Sequence, residues 1–532
     1  MKKLIILLVA VLTCITCVFA GCQTTKTGYS NNLSGLTGEV SSNGGSVVVK
    51  GDYVYFVNGI ASHTEDNTYG KVVTGALVRV KTSDLAKAST VADVENVEKL
   101  DRVSAEVVIP SLFVAGDKTS GFYIYGDYVY YATPTTAKNK AGEVQNTKLD
   151  FVKTSLDGKS HTILKTVDDN KTVYRFVESN NVVYLIAKTV NDHSESVISI
   201  YNATENKEVY TTEAIADCIF TEGGNGLEVY YTRLAHNEEL DEDEAFNDVY
   251  RVKVDGTDEK LLSGEGMMKM SDNAEGSNAG IGLTGVTYTL LKDTADTLYV
   301  KVSYVDTSIT TVTRYYAVAK SDLAGASDAS ALKANFDKLV EINQGSANAA
   351  SIFGASSHYE SANCILYLDA TYGLIKYDYT DTSANDGRTR LFYDEDLVGY
   401  TVKFWQDGYV YLTDANSNYF RVNYAALIDA DTANDDVKVE RVTYMATATD
   451  WYAPEVVGNY FISLYTAEPY DSMVFVADIT AVSALDDEAI EKITAQEEAK
   501  VCGILNTCIS VWTDSVKEHV EEHVGGMFSA EE

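Results

Sequence analysis

The chain has 532 residues, of which 45% are hydrophobic, and carries 78 acidic against 42 basic residues, a formal net charge of −36. This apolar content is sufficient for a large buried core. The acidic balance excludes a nucleic-acid-binding surface, because no basic stripe is available to contact phosphates. Four cysteines lie beyond the N-terminal region (Cys218, Cys364, Cys502 and Cys508), and their spacing fits neither a disulfide framework nor a zinc motif.

The N-terminus has the order of an export signal. Lys2 and Lys3 precede an apolar run at residues 4–18, and Ala20-Gly21 stand directly before Cys22. The run is shorter than the ~20 residues that cross a bilayer. The sequence up to Cys22 resembles the lipobox of bacterial lipoproteins, in which the cysteine thiol receives a diacylglyceryl group and becomes the new N-terminus.

This resemblance implies a signal peptide at residues 1–21, lipidation of Cys22 and a lipid anchor, palmitate included, at the extracytoplasmic face of the cell membrane. The alternative is an ordinary secreted protein with an incidental cysteine. Residues 22–47 are rich in Gly, Ser, Thr and Asn. Such a segment buries too little apolar surface to fold, which predicts a flexible tether between membrane and domain.

A loose repeat dominates the rest of the chain. Its main phrase is a Gly, Asn or Asp turn followed by a Tyr- and Val-rich strand, and eight copies are spaced about 45 to 75 residues apart. The copies begin at Gly51, Gly126, Asn180, Gly226, Asp296, Asn363, Asp407 and Gly458. A second strand phrase follows many of them, as in Tyr-Arg-Val-Lys-Val-Asp-Gly at residues 250–256. Asp-Gly between apolar runs predicts a hairpin.

Both alternating faces of these strands are apolar, so both faces of each sheet must be covered. Small antiparallel sheets stacked around an axis satisfy this requirement, which predicts an all-β fold: one β-propeller of seven or eight four-stranded blades at residues 48–480. A pair of β-sandwiches is the alternative. The repeated phrases resemble those of bacterial lipoproteins with TolB-like or quinoprotein-like propeller repeats, a resemblance that implies the fold and is nearly silent on function.

Residues 485–524 change to a helical period, with apolar residues at steps of three and four. This predicts a C-terminal amphipathic helix, either docked on the propeller or free for a partner. Within it, His519, Glu522 and His523 spell H-x-x-E-H, which resembles the inverted zincin motif. Only Glu531 and Glu532 follow as possible further acidic ligands, so a solvated helix face is the preferred interpretation and no metal site is predicted.

Two other segments could carry chemistry. The acidic run at residues 238–244 could hold Ca²⁺, but it lacks a glycine for a sharp ligand loop, and a solvated loop before the strand at residues 249–254 is expected. Residues 414–418 (Asp-Ala-Asn-Ser-Asn) have the look of a calcium loop and also stand where a hairpin turn belongs, which is the interpretation we favour. Residues 264–285 are expected to form a loop insertion.

No nucleophile, Walker or H-E-x-x-H motif is present, and no catalytic residue or cofactor is predicted. The anchor, the tether and the large propeller predict a non-catalytic binding or scaffold module for a protein or glycan. The alternative is an extracellular hydrolase or lyase with its active site in the propeller funnel, which requires titratable groups that converge there.

Overall fold

The computed structural model describes the strand-forming parts of the chain. These are residues 47–57, 77–83, 105–109, 122–135, 140, 148–156, 160–168, 172–220, 228–237, 242–263, 287–294, 296–305, 310–323, 340–342, 358–360, 364–380, 387–393, 397, 399–415, 418–428, 437–442, 447–448, 455–457, 460–465 and 473–478. Apart from a short 3-10 helix at Lys320–Asp322, the elements described in full are strands. No helix within these ranges is long and apolar enough to cross a membrane.

The strands form eight antiparallel sheets in chain order. The first four are β1 Val47–Lys50, β2 Tyr53–Val57, β3 Leu77–Lys81, β4 Ala105–Ile109; β5 Tyr123–Tyr125, β6 Tyr128–Pro134, β7 Leu149–Ser155, β8 His161–Val167; β9 Tyr174–Ser179, β10 Val182–Val190, β11 Ser196–Asn202, β12 Lys207–Thr211; and β13 Asp217–Phe220, β14 Glu228–Asn237, β15 Glu242–Lys253, β16 Lys260–Ser263. The last four are β17 Thr287–Asp293, β18 Thr297–Val305, β19 Thr311–Ala319, β20 Val340–Glu341; β21 Tyr359–Glu360, β22 Cys364–Asp369, β23 Gly373–Asp378, β24 Arg388–Phe392; β25 Thr401–Gln406, β26 Tyr409–Thr413, β27 Tyr419–Asn423, β28 Glu440–Arg441; and β29 Thr447–Ala448, β30 Glu455–Val457, β31 Tyr460–Tyr465, β32 Met473–Asp478.

Seven of the sheets are regular four-stranded meanders, which we call blades 1 to 7. In the eighth, β29 and β30 pair with successive stretches of the same edge of β31, and β32 pairs with the other edge. The eighth sheet is therefore effectively three strands wide. This architecture is an all-β propeller with seven complete blades, as the repeat predicted.

In blades 1 to 7 every copy of the main repeat phrase lies on the second strand, and in the eighth sheet it lies on β31, the third strand in chain order and the central one of the sheet. In blades 1, 2, 3 and 7 the turns before these strands have the left-handed backbone that two-residue hairpins require. Gly51 and Gly126 have φ of 59° and 58°, and Asn180 and Asn181 have φ of 54° and 64°. In these blades the turn residues therefore fix the register of the first hairpin.

The core consists of face-to-face contacts between neighbouring sheets. In blade 3, Val183 and Leu185 pack into a cluster with blade 2, whereas Ile186 and Ile198 pack into a separate cluster with blade 4. Similar clusters join blades 4 to 7, and Phe461 of the eighth sheet contacts the aromatic rings of blade 7. Apolar residues on both strand faces are thus explained by burial on both sides.

Blade 3 has a buried edge and an exposed edge. Its first strand is buried at four of its six positions, and its fourth strand is exposed at four of its five. In this blade the first strand therefore lies on the inner side and the fourth strand on the rim. The turns joining first to second and third to fourth strands share one end of the blades, here called the turn end.

Candidate functional site

The described residues do not include most of the segments that the sequence singled out. Cys22, the tether, residues 264–285, Cys502, Cys508, His519, Glu522 and His523 all lie outside them. Their predicted roles therefore stay predictions. Cys218 and Cys364 are described and make no disulfide. Burial raises the pKa of the Cys218 thiol to about 12, which makes it a poor nucleophile.

The acidic run is placed differently from its prediction. Glu242, Asp243 and Glu244 lie within β15, where Asp243 pairs with His236 and Glu242 with Asn237. The expected loop is therefore shorter, because the β14–β15 hairpin extends beyond the neighbouring strands of blade 4 and takes these residues into its ladder. Within the described ranges no group of three or more His, Cys, Asp and Glu side chains is arranged to hold a metal ion.

The turn predicted at residues 414–418 is confirmed. β26 ends at Thr413 and β27 begins at Tyr419. The Asp414 carboxylate accepts the Asn418 backbone N–H at 2.9 Å and the Asn418 side-chain amide at 3.1 Å. Asp414 therefore stabilises its own hairpin turn.

A tyrosine–cation unit recurs at the turn end. In blades 1, 2 and 7 the second strand begins with a half-buried tyrosine, and a basic residue of the third strand lies over its ring. The three pairs are Arg79 over Tyr53 at 4.1 Å, Lys153 over Tyr128 at 4.2 Å and Arg421 over Tyr409 at 4.3 Å. Cations on tyrosine rings stabilise such pairs by ~0.5–2 kcal/mol and restrict the rings.

The junction of blades 2 and 3 extends this unit into a row. On the inner side, Tyr125 at the end of β5 donates its hydroxyl to Asn181 Oδ1 at 3.2 Å. In the middle, Lys153 covers Tyr128 and donates to the Thr204 carbonyl of blade 3 at 3.3 Å. Each of these contacts joins the two blades, so their turn ends are held together.

On the outer side of this junction, Tyr201 of β11 donates its hydroxyl to Asn206 Oδ1 at 2.8 Å. Tyr125, Tyr128 and Tyr201 all pack against the core cluster shared by blades 2 and 3 and are partly exposed. Asn181 and Asn206 are exposed, and both have a left-handed backbone, with φ of 64° and 59°. We call Tyr125, Tyr128, Tyr201, Asn181 and Asn206 the tyrosine row.

Burial and nearby charges shift the pKa values of the titratable groups in and beside the tyrosine row. Burial and the Glu178 charge raise the pKa of Tyr125, and burial and the Glu208 charge raise that of Tyr201. Both phenols therefore stay neutral donors at physiological pH. Burial lowers the pKa of Lys153, because loss of water disfavours its charged ammonium form.

Carboxylates beside the row are also paired. Glu178 Oε1 accepts the Asn181 backbone N–H at 2.5 Å. Glu208 Oε2 accepts from Lys165 Nζ of blade 2 at 2.6 Å and from Ser199 at 3.0 Å. Burial would raise the pKa of Glu208, but its hydrogen bonds and the Lys165 charge bring that pKa below its usual value.

A second group of titratable side chains lies between blades 5 and 6. Glu360 on β21 is 3% exposed, and its two oxygens approach His358 Nε2 at 2.6 Å and Lys292 Nζ at 3.2 Å. His358 is 14% and Lys292 is 31% exposed. A histidine, a carboxylate and a lysine therefore meet at this junction. Both carboxylate oxygens are used within the group, which is typical of an ion-pair network joining two blades.

The sequence did not single out the tyrosine row. Tyr128, Lys153 and Asn181 stand within the repeat phrases, but their approach across a blade junction follows from the stacking of sheets. The available signal was the recurrence of tyrosine after a two-residue turn together with a basic residue in the next strand. That signal indicates a repeated contact, and only the fold shows which copies adjoin exposed amides.

No family model matches the sequence, and no curated protein matches it. Solved structures match at low similarity. A prolyl endopeptidase is 10% identical over 75% of this chain and 52% of its own, with a TM-score of 0.38. The β-propeller domain of the Trilobed protease from Pyrococcus furiosus is 9% identical over 84% of this chain and 100% of its own, with a TM-score of 0.32.

Apo AztD from Citrobacter koseri is 9% identical over 72% of this chain and 90% of its own, with a TM-score of 0.28. The chain spans about half the length of the prolyl endopeptidase, matching 52% of it. Likenesses this weak carry no functional argument. The propeller assignment rests on the eight sheets themselves and on the cores between them.

Proposed function

We propose that this chain is a lipid-anchored, extracytoplasmic propeller that acts as a non-catalytic binding or scaffold module for a protein or glycan. The observation that carries this proposal is the tyrosine row, in which three partly exposed rings adjoin two exposed amides at one blade junction. Tyrosines and adaptable amides are the residues that binding surfaces favour, because they combine apolar area with hydrogen bonding.

The row is also pre-organised. Lys153 holds Tyr128, Asn206 holds Tyr201, and the rings rest on a buried cluster. A ligand would therefore not have to order these side chains on binding, which reduces the entropic cost of association. Fixed aromatic groups of this kind are typical binding hot spots.

The test is binding by the full-length mature chain and by the double variant Tyr128→Ala/Tyr201→Ala, against a panel of immobilised extracellular proteins and glycans. Loss of two hot-spot rings is expected to weaken binding at least tenfold, since ~1.4 kcal/mol corresponds to a factor of ten. Tyr372→Ala is the matched control, because Tyr372 is 54% exposed and lies between β22 and β23, at the opposite end of the blades. If the double variant and the control both bind as tightly as the wild type, the tyrosine row is not the binding site.

The anchor is tested separately. The sequence before Cys22 supports lipidation, and Cys22→Ala should release the protein from the membrane fraction and abolish incorporation of labelled palmitate. Cys218→Ala is the control, since Cys218 lies in blade 4 and should leave both readouts unchanged. Unchanged membrane association of Cys22→Ala would refute the lipid anchor and favour an ordinary secreted protein.

The second candidate function is an extracellular hydrolase or lyase, and the Lys292–Glu360–His358 group is the observation that favours it. Its weakness is the burial of Glu360, which leaves little access for a substrate. Chromogenic peptide and glycoside substrates would test it with the wild-type chain and His358→Ala. Turnover by the wild type that His358→Ala abolishes would replace the binding-module proposal, whereas no turnover by either protein is expected.

A further inference from the structure

The polar groups of the tyrosine row favour one ligand class. We propose that the row binds an uncharged oligosaccharide. This inference rests on the proposed binding function and narrows it to a glycan without carboxylate, sulfate or phosphate groups. Three observations carry it: the direction of the two amides, the partial exposure of the rings, and the engagement of the three half-buried or bonded charges Lys153, Glu178 and Glu208.

The amides are oriented by the tyrosines. The hydroxyls of Tyr125 and Tyr201 donate to the Oδ1 atoms of Asn181 and Asn206. Each amide therefore has its oxygen on a phenol and carries two N–H donors at its other corner, in an exposed turn. Outward amide N–H groups suit the hydroxyl and ring oxygens of sugars, which accept hydrogen bonds and carry no charge.

The rings provide the complementary apolar surface. Tyr125, Tyr128 and Tyr201 are each partly buried against the shared core, so part of each ring meets solvent. The C–H faces of sugar rings pack on aromatic rings through dispersion and weak C–H contacts to the π-electrons. Aromatic rings beside amide donors therefore match the alternating apolar and hydroxyl surfaces of a glycan.

The charges argue against ionic ligands. Lys153 lies on Tyr128 and donates to the Thr204 carbonyl, which leaves it poorly placed to bind an anion. Glu178 is hydrogen-bonded to the Asn181 backbone and Glu208 to Lys165, so they are not poised for a basic partner. An anionic chain would also meet the field of a protein with a formal net charge of −36.

The row has the extent of an oligomer. It runs from the β5–β6 and β9–β10 turns at the inner side to the β11–β12 turn near the rim. Neighbouring strands are ~4.8 Å apart, so the two strand intervals from β10, beside Asn181, to β12, beside Asn206, give a length of about 10 Å. A row of this length fits two linked sugar rings better than a single monosaccharide.

The experiment uses the full-length mature chain on an array of neutral oligosaccharides of glucose, mannose, xylose and N-acetylglucosamine, with uronate-containing and sialylated chains beside them. We expect binding among the neutral chains, little change with added salt, and at least tenfold weakening by Asn206→Asp, which replaces the N–H donors by a charged acceptor. Asn191→Asp is the matched control, because Asn191 lies in the β10–β11 turn at the opposite end and its Oδ1, like that of Asn206, accepts local hydrogen bonds, here from the backbone N–H groups of His193 and Glu195.

The outcomes distinguish failure of the glycan inference from failure of the proposed binding function. Binding of a protein ligand, sensitive to Tyr128→Ala/Tyr201→Ala, without any neutral glycan would overturn the glycan inference and leave the binding function standing. Preference for the uronate or sialylated chains would overturn the inference as well. Glycan binding unaffected by the row variants would overturn the proposed site itself. Circular dichroism of each variant confirms that a loss of binding is not a loss of fold.

Discussion

One asparagine in the contact between blades 4 and 5 imitates a β-strand partner. Asn247 Nδ2 donates to the Tyr288 carbonyl at 2.9 Å, and its Oδ1 accepts the Tyr288 backbone N–H at 2.6 Å. Asn247 is 7% and Tyr288 is 3% exposed, so water cannot easily replace these bonds. Asn247→Ala leaves one buried donor and one buried acceptor unpaired, each costing ~1–3 kcal/mol, which predicts a loss of about 3 kcal/mol.

The assay is urea unfolding followed by intrinsic fluorescence, together with hydrogen exchange at the Tyr288 amide. Asn191→Ala is the matched control, because Asn191 also accepts two backbone N–H groups, from His193 at 2.9 Å and Glu195 at 3.0 Å, but in a turn open to water. We expect the control to cost less than ~1 kcal/mol. An Asn247→Ala protein as stable as the control, with an equally protected Tyr288 amide, would refute the strand-mimic interpretation.

Three further predictions concern packing and pH. Phe461→Ala should cost about 3–5 kcal/mol in urea unfolding, since Phe461 is 0% exposed and its ring lies 4.7 Å from that of Tyr419; a smaller loss would mean that the eighth sheet packs loosely on blade 7. Burial raises the pKa of Asp248 to about 6, so the folded state binds this proton more tightly than the unfolded state, and the free energy of unfolding falls as pH rises from about 4 to about 6. Asp248→Asn should remove this fall, which is worth about 1–2 kcal/mol after allowance for the partial exposure of Asp248. A pH profile of unfolding that the substitution leaves unchanged would contradict the prediction. The pKa of Glu208 is lowered in the folded state, so its carboxylate stabilises the fold above about pH 4.3, and this contribution is lost as pH falls through the folded-state pKa. Glu208→Gln should therefore make the free energy of unfolding less dependent on pH on the acidic side. An unchanged acidic side would contradict the pairing with Lys165.

The repeat predicted the fold because its information is local. Turn residues such as Gly126 and Asn181 fix the hairpin, and apolar residues on both strand faces require neighbours on both sides. The phrase consequently occupies the second strand of each blade and the central strand β31 of the eighth sheet. Blade number was predicted only as seven or eight, because the eighth sheet carries the phrase but divides its first-strand position between β29 and β30.

Other features depend on contacts that no single segment contains. Fourth strands carry a β-bulge against the third strand in several blades. Leu164 of β8 is the extra residue opposite Phe151 and Val152, and Val209 of β12 is the extra residue opposite Ile200 and Tyr201, which increases local twist without a distinctive residue. The tyrosine row arises likewise from the approach of β5 and β6 to β9–β11. A periodicity search finds the strands but not which side chains meet across a junction.

Two turn glycines at opposite ends of the blades separate backbone strain from packing: Gly126 lies in the β5–β6 turn at the turn end, and Gly373 begins β23 at the other end. Gly126 has φ of 58° and open space around an added Cβ, whereas Gly373 has φ of 79° and an added Cβ would lie 2.4 Å from the Phe392 carbonyl oxygen. Gly126→Ala should therefore cost only the left-handed backbone penalty, ~1–2 kcal/mol, and leave the tyrosine row in place. Gly373→Ala meets the same penalty and must also displace β24, so urea unfolding should show a distinctly larger loss. Equal losses for the two variants would mean that the β24 backbone yields freely. A large loss at Gly126 would instead mean that the first turn of blade 2 is tightly enclosed, and the row could then not be the open surface from which a ligand is bound.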